Sequence, residues 1–292
     1  MPQLRTTALA MAVSAAALTG CAPGQAEDDG LINVVASTSV WGDIAATIGG
    51  DRVSVTNLID GPDRDPHSFE ASALDRLALV RADIVIVNGG GYDPFVGTLL
   101  GAELSVFVLD ASEASGLLDG ENEHIWYDFI AVDEVAVALA EQLAALDPAH
   151  EQQFRANYEA FAAELDSLEA DAAAIAAEFT GQGAAVTEAV PVYLLEAAGL
   201  VNETPGDFTQ AIEEGGDVPP AALQRTLDLF DDGAVVVLGY NEQTASPETE
   251  RVRAAAEAAG IPDDACTETL PTGSDYESWM RANLDSLARA LR

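Results

Sequence analysis

Four side chains in this sequence have the types and placement to hold a divalent cation: His67 in DPHSFE, His124 in NEHIWYD, Glu188 in VTEAV and Glu268 in CTETLP. His67 and His124 follow two strand-like runs of the first half of the chain. Glu188 and Glu268 end two strand-like runs of the second half. Two imidazoles and two carboxylates converging from four strand ends make a mixed nitrogen and oxygen site for a divalent transition metal. A loop histidine is commonly a solvated or capping group, and an isolated glutamate at a strand end is commonly a surface residue. The third histidine, His150, sits in the first turn of a long helical run and is given no function. What lifts His67 and His124 above it is their equivalent placement at strand ends of one lobe.

The elements that must position these residues alternate between strand and helix signals. INVVAST, DRVSVTNLI, DIVIVNGGG and LSVFVLDAS read as strands, with helical runs VWGDIAATIGG and SALDRLALVRA among them. The pattern returns later in AAVTEAV, AVVVLGY and DACTETL, separated by PAALQRTLDLF and ETERVRAAAEAAG and closed by DYESWMRANLDSLARAL. Continuous apolar runs between helices predict parallel sheets covered on both faces. The expected fold is therefore α/β: two lobes, each a small parallel sheet covered by helices, joined by one long rigid helix. The expected boundaries are an N-terminal lobe at 31–147, a linking helix at 148–180 and a C-terminal lobe at 181–292.

The linking helix has the most regular spacing in the chain. Apolar residues fall at Phe154, Tyr158, Phe161, Leu165, Leu168, Ala172, Ile175 and Phe179, in alternating steps of four and three. Asp147 can cap it and Pro148 suits its first turn. From Pro148 to Phe179 such a rod extends about 48 Å. A seam of this length fits a coiled-coil dimer or a rod packed against both lobes; the second is expected, because two flanking α/β units need a connector. In open parallel sheets ligands sit beyond the carboxyl ends of the strands. The cleft between the lobes is the expected binding place.

Composition narrows the function further. All 12 basic residues are arginine, so chemistry that needs a primary amine is excluded: a GxxxxGK[ST] phosphate loop, a pyridoxal Schiff base, a lysine nucleophile. With 50 acids the net charge is -38, which repels nucleic acid and anionic lipid and suits a well-solvated surface. HExxH and GxSxG are both absent.

The first residues read as a targeting segment. Arg5 is the positive start, Ala8 to Leu18 the apolar stretch, and LTGC ending at Cys21 resembles the lipobox of bacterial lipoproteins. The expectation is a signal peptide at 1–20, a lipid on Cys21 and a polar tether over 21–30. Cys266 then has no partner for an intramolecular disulfide and reads as a small buried residue in a strand.

Taken together, these stretches resemble the metal-binding lipoproteins of ABC importers, the cluster A-I solute-binding proteins for zinc and manganese. DPHSFE is similar to that family's DPHxxE stretch, and NEHIWYD to its second, DPHxWLD-type stretch, with Asn122 and Glu123 in place of Asp-Pro. ADIVIVNGGGYDPFV, VTEAVPVYLLEAAGL and the C-terminal CTETLPTGSDYESWMRANLDSLARAL extend the likeness from Ile32 onward. The resemblance implies His67, His124, Glu188 and Glu268 as ligands to a transported Zn2+ or Mn2+. It also implies a partner permease with its ATPase, a lipid-anchored monomer on the outer face of the cell membrane, and binding and release without catalysis. The fourth family ligand is usually aspartate, so Asp275 stands in reserve for Glu268.

Four protein ligands suit zinc, while two carboxylates suit manganese. The loop before His124, with Glu113, Asp119, Glu121 and Glu123, is short and acidic where many zinc importers carry a histidine-rich one, and reads as a solvated loop. The alternatives are a zinc hydrolase with two histidines and a glutamate, a surface adhesin, and a receptor for a large chelate such as cobalamin or a siderophore.

Overall fold

The computed structural model describes residues 30–61, 69–101, 106–118 and 120–292. The expected signal peptide, Cys21, the expected tether up to Asp29, His67 and Asp119 lie outside the described residues.

The first sheet contains β1 (Ile32–Thr38), β2 (Val53–Ile59), β3 (Ile84–Val87) and β4 (Phe107–Asp110), all parallel in the order β2-β1-β3-β4. The second contains β5 (Gly183–Val186), β6 (Val201–Asn202), β7 (Val235–Asn241) and β8 (Asp263–Cys266), parallel in the matching order β6-β5-β7-β8. Each sheet reverses its winding between its first and third strands, which opens a crevice at their carboxyl ends. The central strands are buried along their length: β3 is IVIV and β5 is GAAV, with every residue covered. Side chains of this kind stand on both faces of a sheet only when helices cover both.

Eleven α-helices do the covering among the described residues. α1 (Ser39–Gly49), α2 (Ala73–Arg81), α3 (Pro94–Leu100), α4 (Ala111–Ser115) and α5 (Phe129–Leu146) belong to the first half. α7 (Val192–Ala197), α8 (Gly206–Glu213), α9 (Pro220–Asp231), α10 (Pro247–Ala259) and α11 (Tyr276–Ala290) belong to the second. Between them runs α6 (Glu151–Phe179), 29 residues long. The α-helix begins three residues later than its sequence pattern predicts, because Pro148–His150 forms a 3-10 turn. Asp147 does not cap it: its carboxylate accepts hydrogen bonds from Arg52 and meets the His150 ring instead.

The predicted seam of α6 faces inward. Phe154, Phe161, Leu165, Leu168, Ala172 and Ile175 are buried in one apolar cluster with α1, α5 and α11 and with residues of both sheets, such as Val34, Ile84, Val186 and Val237. The chain itself therefore covers the seam, and the rod is packed against both halves rather than against a second copy. Arg281 of α11 adds ion pairs to Asp171 and Glu164 of α6.

Candidate metal centre

Two of the candidate ligands among the described residues, Glu188 and Glu268, lie just past the carboxyl ends of strands. Glu188 is two residues beyond β5 and Glu268 two residues beyond β8, so the predicted strands AAVTEAV and DACTETL end earlier than their apolar pattern suggests. His124 is set further on, after β4, α4 and the acidic loop, at the start of a short 3-10 turn, Ile125–Tyr127. All three are completely buried. Burial of a polar or ionised group is costly unless hydrogen bonds replace its water, so the donors around each one define the site.

His124 is oriented by Asn122. The Asn122 Nδ2 donates to the carbonyl of Ala189 at 2.9 Å, which leaves its Oδ1 facing His124 Nδ1 at 2.7 Å. An acceptor at that distance places the proton on Nδ1, and the lone pair then falls on Nε2, the arrangement a metal-binding imidazole needs. Asn122 is one of the two residues that depart from the family-like DPH stretch, and here it supplies the orientation. It also ties the halves of the molecule together, since Ala189 follows Glu188 and Tyr193 Oη donates back to the Asn122 carbonyl at 2.7 Å.

The turn after β3 supports the segment that carries the same imidazole. Asn88 is buried, its Oδ1 accepts from Trp41 Nε1 at 3.1 Å, and its Nδ2 donates to the carbonyl of Glu123 at 2.9 Å. Asp93 closes the turn by accepting from the amides of Asn88 and Gly89 at 2.7 and 3.0 Å. Gly89 has φ 72°, and a Cβ there would stand 2.0 Å from Asp110 Oδ1, so only glycine fits. The turn delivers Tyr92, whose ring packs edge-on to His124 and Trp126 at 5.9 and 5.0 Å between centroids. Its hydroxyl donates to Glu268 Oε2 at 3.0 Å. Burial, then the charge of Glu268, pushes the Tyr92 phenol well above its ordinary range, so it remains a donor.

The two glutamates share one residue. Asn241, the last residue of β7, donates from Nδ2 to Glu188 Oε2 at 2.6 Å and to Glu268 Oε1 at 2.8 Å. Thr244 Oγ1 also donates to Glu188 Oε2, and the Glu268 amide donates to Gln243 Oε1 at 2.6 Å. Asn241, Gln243 and Thr244 were not singled out from the sequence. The available signal was that GYNEQT ends a strand of the second sheet, the position that drew attention to Glu188 and Glu268.

Two of the four predicted ligands, Glu268 and Glu188, meet on one residue, Asn241, while Tyr92 bonds Glu268 and packs its ring against that of His124. Asp275 has a different task. It is exposed and caps α11, accepting from the Ser278 amide at 2.8 Å, and hydrogen bonds from Ser278 hold its carboxyl below the usual range. Cys266 ends β8 buried, as expected. Burial and then the charge of Glu188 push its thiol well up, so it is held as a protonated thiol. At the rim, half-buried Glu123 and Glu213 offer carboxylate oxygens that lie with a His124 ring nitrogen within 4.8 Å of one another. The acidic loop thus contributes one residue to a cation-attracting mouth, alongside Glu213 of α8.

Two buried carboxylates and a buried imidazole, with Asn241, Thr244 and Tyr92 as neutral donors to the carboxylates, form a centre of negative charge suited to a cation. The known proteins that the chain is similar to agree in architecture. It is 32% identical to the manganese-binding lipoprotein MntA of Bacillus subtilis over 168 residues, spanning about half the length of that relative (52% of this chain and 53% of the other). With the manganese ABC transporter substrate-binding lipoprotein PsaA of Streptococcus anginosus it is 24% identical over 310 residues, 98% of each chain. The solved structure of the solute-binding protein FpvC from Pseudomonas aeruginosa, in complex with Mn2+, shares the fold with a TM-score of 0.75 at 24% identity, covering 89% of this chain and 98% of that one. The profile of the ZnuA family, zinc-uptake complex component A, periplasmic, matches residues 34–290. That match begins in β1 and ends in α11, running through both sheets and the rod between them, and the chain belongs to this family.

Proposed function

We propose that the chain is the extracytoplasmic substrate-binding lipoprotein of an ABC importer, which captures Zn2+ or Mn2+ between its two lobes and delivers the ion to a membrane permease driven by a cytoplasmic ATPase. His67, His124, Glu188 and Glu268 are its ligands, and the lipid on Cys21 holds it, as a monomer, to the outer face of the cell membrane. One observation carries this reading: Glu188 and Glu268, from separate strand ends, are buried on one asparagine amide, and Tyr92, bonded to Glu268, packs against the ring of an imidazole whose Nδ1 faces the Asn122 oxygen. Such a cluster is stabilised by a divalent ion. The names of the relatives, manganese-binding and zinc-uptake proteins, support the same cargo. The mechanism is binding and release, and since the ligands bind deprotonated, acid favours release.

The test is a titration of residues 31–292 with Zn2+ and with Mn2+. One tightly bound ion per chain is expected, lost in His67→Ala and in His124→Ala. Absence of tight binding by the unaltered chain, or undiminished binding by both variants, overturns the reading. For the anchor, Cys21→Ala should move the protein from the membrane fraction to the soluble one.

A further inference from the structure

The direction of every hydrogen bond on the Asn122 side chain can be assigned. The His124 backbone amide, which can only donate, gives a bond to Asn122 Oδ1 at 3.2 Å. At the other end Nδ2 meets the Ala189 carbonyl, which can only accept, at 2.9 Å. The two fix the amide the same way round, with its oxygen toward His124. The His124 ring therefore meets an acceptor at Nδ1, 2.7 Å away, and the partner of one ring nitrogen decides which nitrogen is left for a metal.

The bonds that hold this arrangement come from both lobes. Within the first, Asn88 Nδ2 holds the Glu123 carbonyl at 2.9 Å and so fixes the backbone between Asn122 and His124. From the second come the Ala189 carbonyl, directly after Glu188, and Tyr193 of α7, whose Oη donates to the Asn122 carbonyl at 2.7 Å. Burial, then the charge of Asp128, pushes the Tyr193 phenol up to about 12, so it keeps the proton it donates. Among the described residues, both bonds that tie Asn122 beyond its own segment go to the second lobe.

An amide responds to that tie in a way a carboxylate does not. Aspartate, the residue at this place in the DPH stretch that the segment resembles, presents an oxygen to His124 whichever way it turns. Asparagine presents one only while its Nδ2 is held at Ala189; turned over, it offers an N–H to Nδ1. Resting on the reading of His124 as a ligand, we infer that Asn122 is a positioning residue that makes the metal-binding orientation of His124 conditional on contact between the lobes. Withdrawal of the second lobe removes the acceptor of Nδ2, frees the side chain to turn and takes the oxygen from Nδ1. Drawing the lobes apart then loosens a ligand without anything touching the ion, and by linkage a bound ion steadies the contact by the same free energy.

The test uses the full chain and three variants, Tyr193→Phe, Asn122→Ala and Asn122→Asp, above the imidazole range, where the ring is neutral. Ring nitrogen shifts in NMR, assigned by their loss in His124→Ala, show which nitrogen carries the proton. Hydrogen exchange of the amides from Thr187 to Tyr193 follows the lobe contact. In the unaltered metal-free protein the proton should sit on Nδ1. Tyr193→Phe, which leaves the ring and its oxygen in place, should spread the proton over both nitrogens and speed exchange, and Asn122→Ala should do so more strongly. Asn122→Asp should speed exchange yet keep the proton on Nδ1. Zn2+ affinity should fall by about 10-fold to 100-fold in Asn122→Ala and by less in Tyr193→Phe. A residue with only a structural role would speed exchange without moving the proton. The inference is overturned if Tyr193→Phe leaves the proton where it was, or if Asn122→Asp loses it from Nδ1. If Asn122→Ala does not fold, Tyr193→Phe decides alone. If the proton responds as expected while the unaltered protein binds no Zn2+, the transport reading fails and the coupling of the ring to the lobe contact stands.

Discussion

Tyr92 and Glu268 are 176 residues apart in sequence and joined by a 3.0 Å hydrogen bond, from the phenol of a turn after β3 to the carboxylate of a loop after β8. The bond crosses from one sheet's loops to the other's and ends on a proposed ligand. Parallel crossings surround it: Tyr127 Oη donates to the carbonyl of Thr267 at 2.9 Å, and Tyr276 Oη to that of Trp126 at 2.7 Å. The two sets of strand-end loops are thus clasped at the point where the ion is proposed to sit.

Tyr92→Phe removes this clasp while keeping the ring against His124 and Trp126. Metal affinity should fall by about 10-fold to 100-fold, as for other residues that orient a ligand. The metal-free protein should lose about 1.5–3 kcal/mol for a hydrogen bond to a charged group. Chelator competition and thermal unfolding measure the two. Unchanged affinity would show that Tyr92 merely packs.

Bound ion should stabilise the native state, because the unfolded chain does not assemble the site. At 100 times the dissociation constant the gain is about 2.7 kcal/mol, read as a rise in Tm that a chelator reverses. In Glu188→Gln the rise should be reduced or absent, because a proposed ligand has lost its charge.

Asp93→Asn tests the turn that carries Tyr92. The variant has one acceptor oxygen for two backbone amides, and should cost about 1–3 kcal/mol. The pH dependence has a defined sign. Burial, only partly offset by hydrogen bonds from the amides of Asn88 and Gly89, raises the Asp93 carboxyl above 3.8. The folded state therefore holds its proton to higher pH than the unfolded state does. Stability from this group is complete below 3.8 and declines as pH rises through the elevated value. The cost of the asparagine, measured by denaturant unfolding, should be largest in acid and shrink toward neutral pH. A cost growing with pH would contradict this.

The charge of -38 makes a prediction about salt. Self-repulsion destabilises the compact state, and raising ionic strength from 0.01 to 0.15 M shortens its range from about 30 to about 8 Å. The Tm of the metal-free protein should rise by about 2–4 °C for each kcal/mol regained. A constant or falling Tm would mean that the ion pairs, such as Arg281 with Asp171 and Glu164, outweigh the repulsion.

Much of this protein was determined by its sequence alone, because the signals concerned are local. Runs such as IVIV and the steps of four and three from Phe154 to Phe179 reflect which faces of a strand or helix must avoid water. That is settled within a few residues. The same reading placed His124, Glu188 and Glu268 near strand ends, and the family-like stretches supported the choice. The start of α6 went unseen because Asp147 took Arg52 and His150 as partners in place of the helix amides. Asp275 was held in reserve as a ligand because its chemistry fits; its capping bond to Ser278 decides otherwise. What only the tertiary structure decided is the set of bonds between distant residues. Asn241 meets Glu188 across 53 residues and Glu268 across 27, and both meetings depend on β7 lying between β5 and β8 in parallel register. Strand order is not written in the periodicity of any one strand, so the donors that shape the site emerge only when the sheet is assembled.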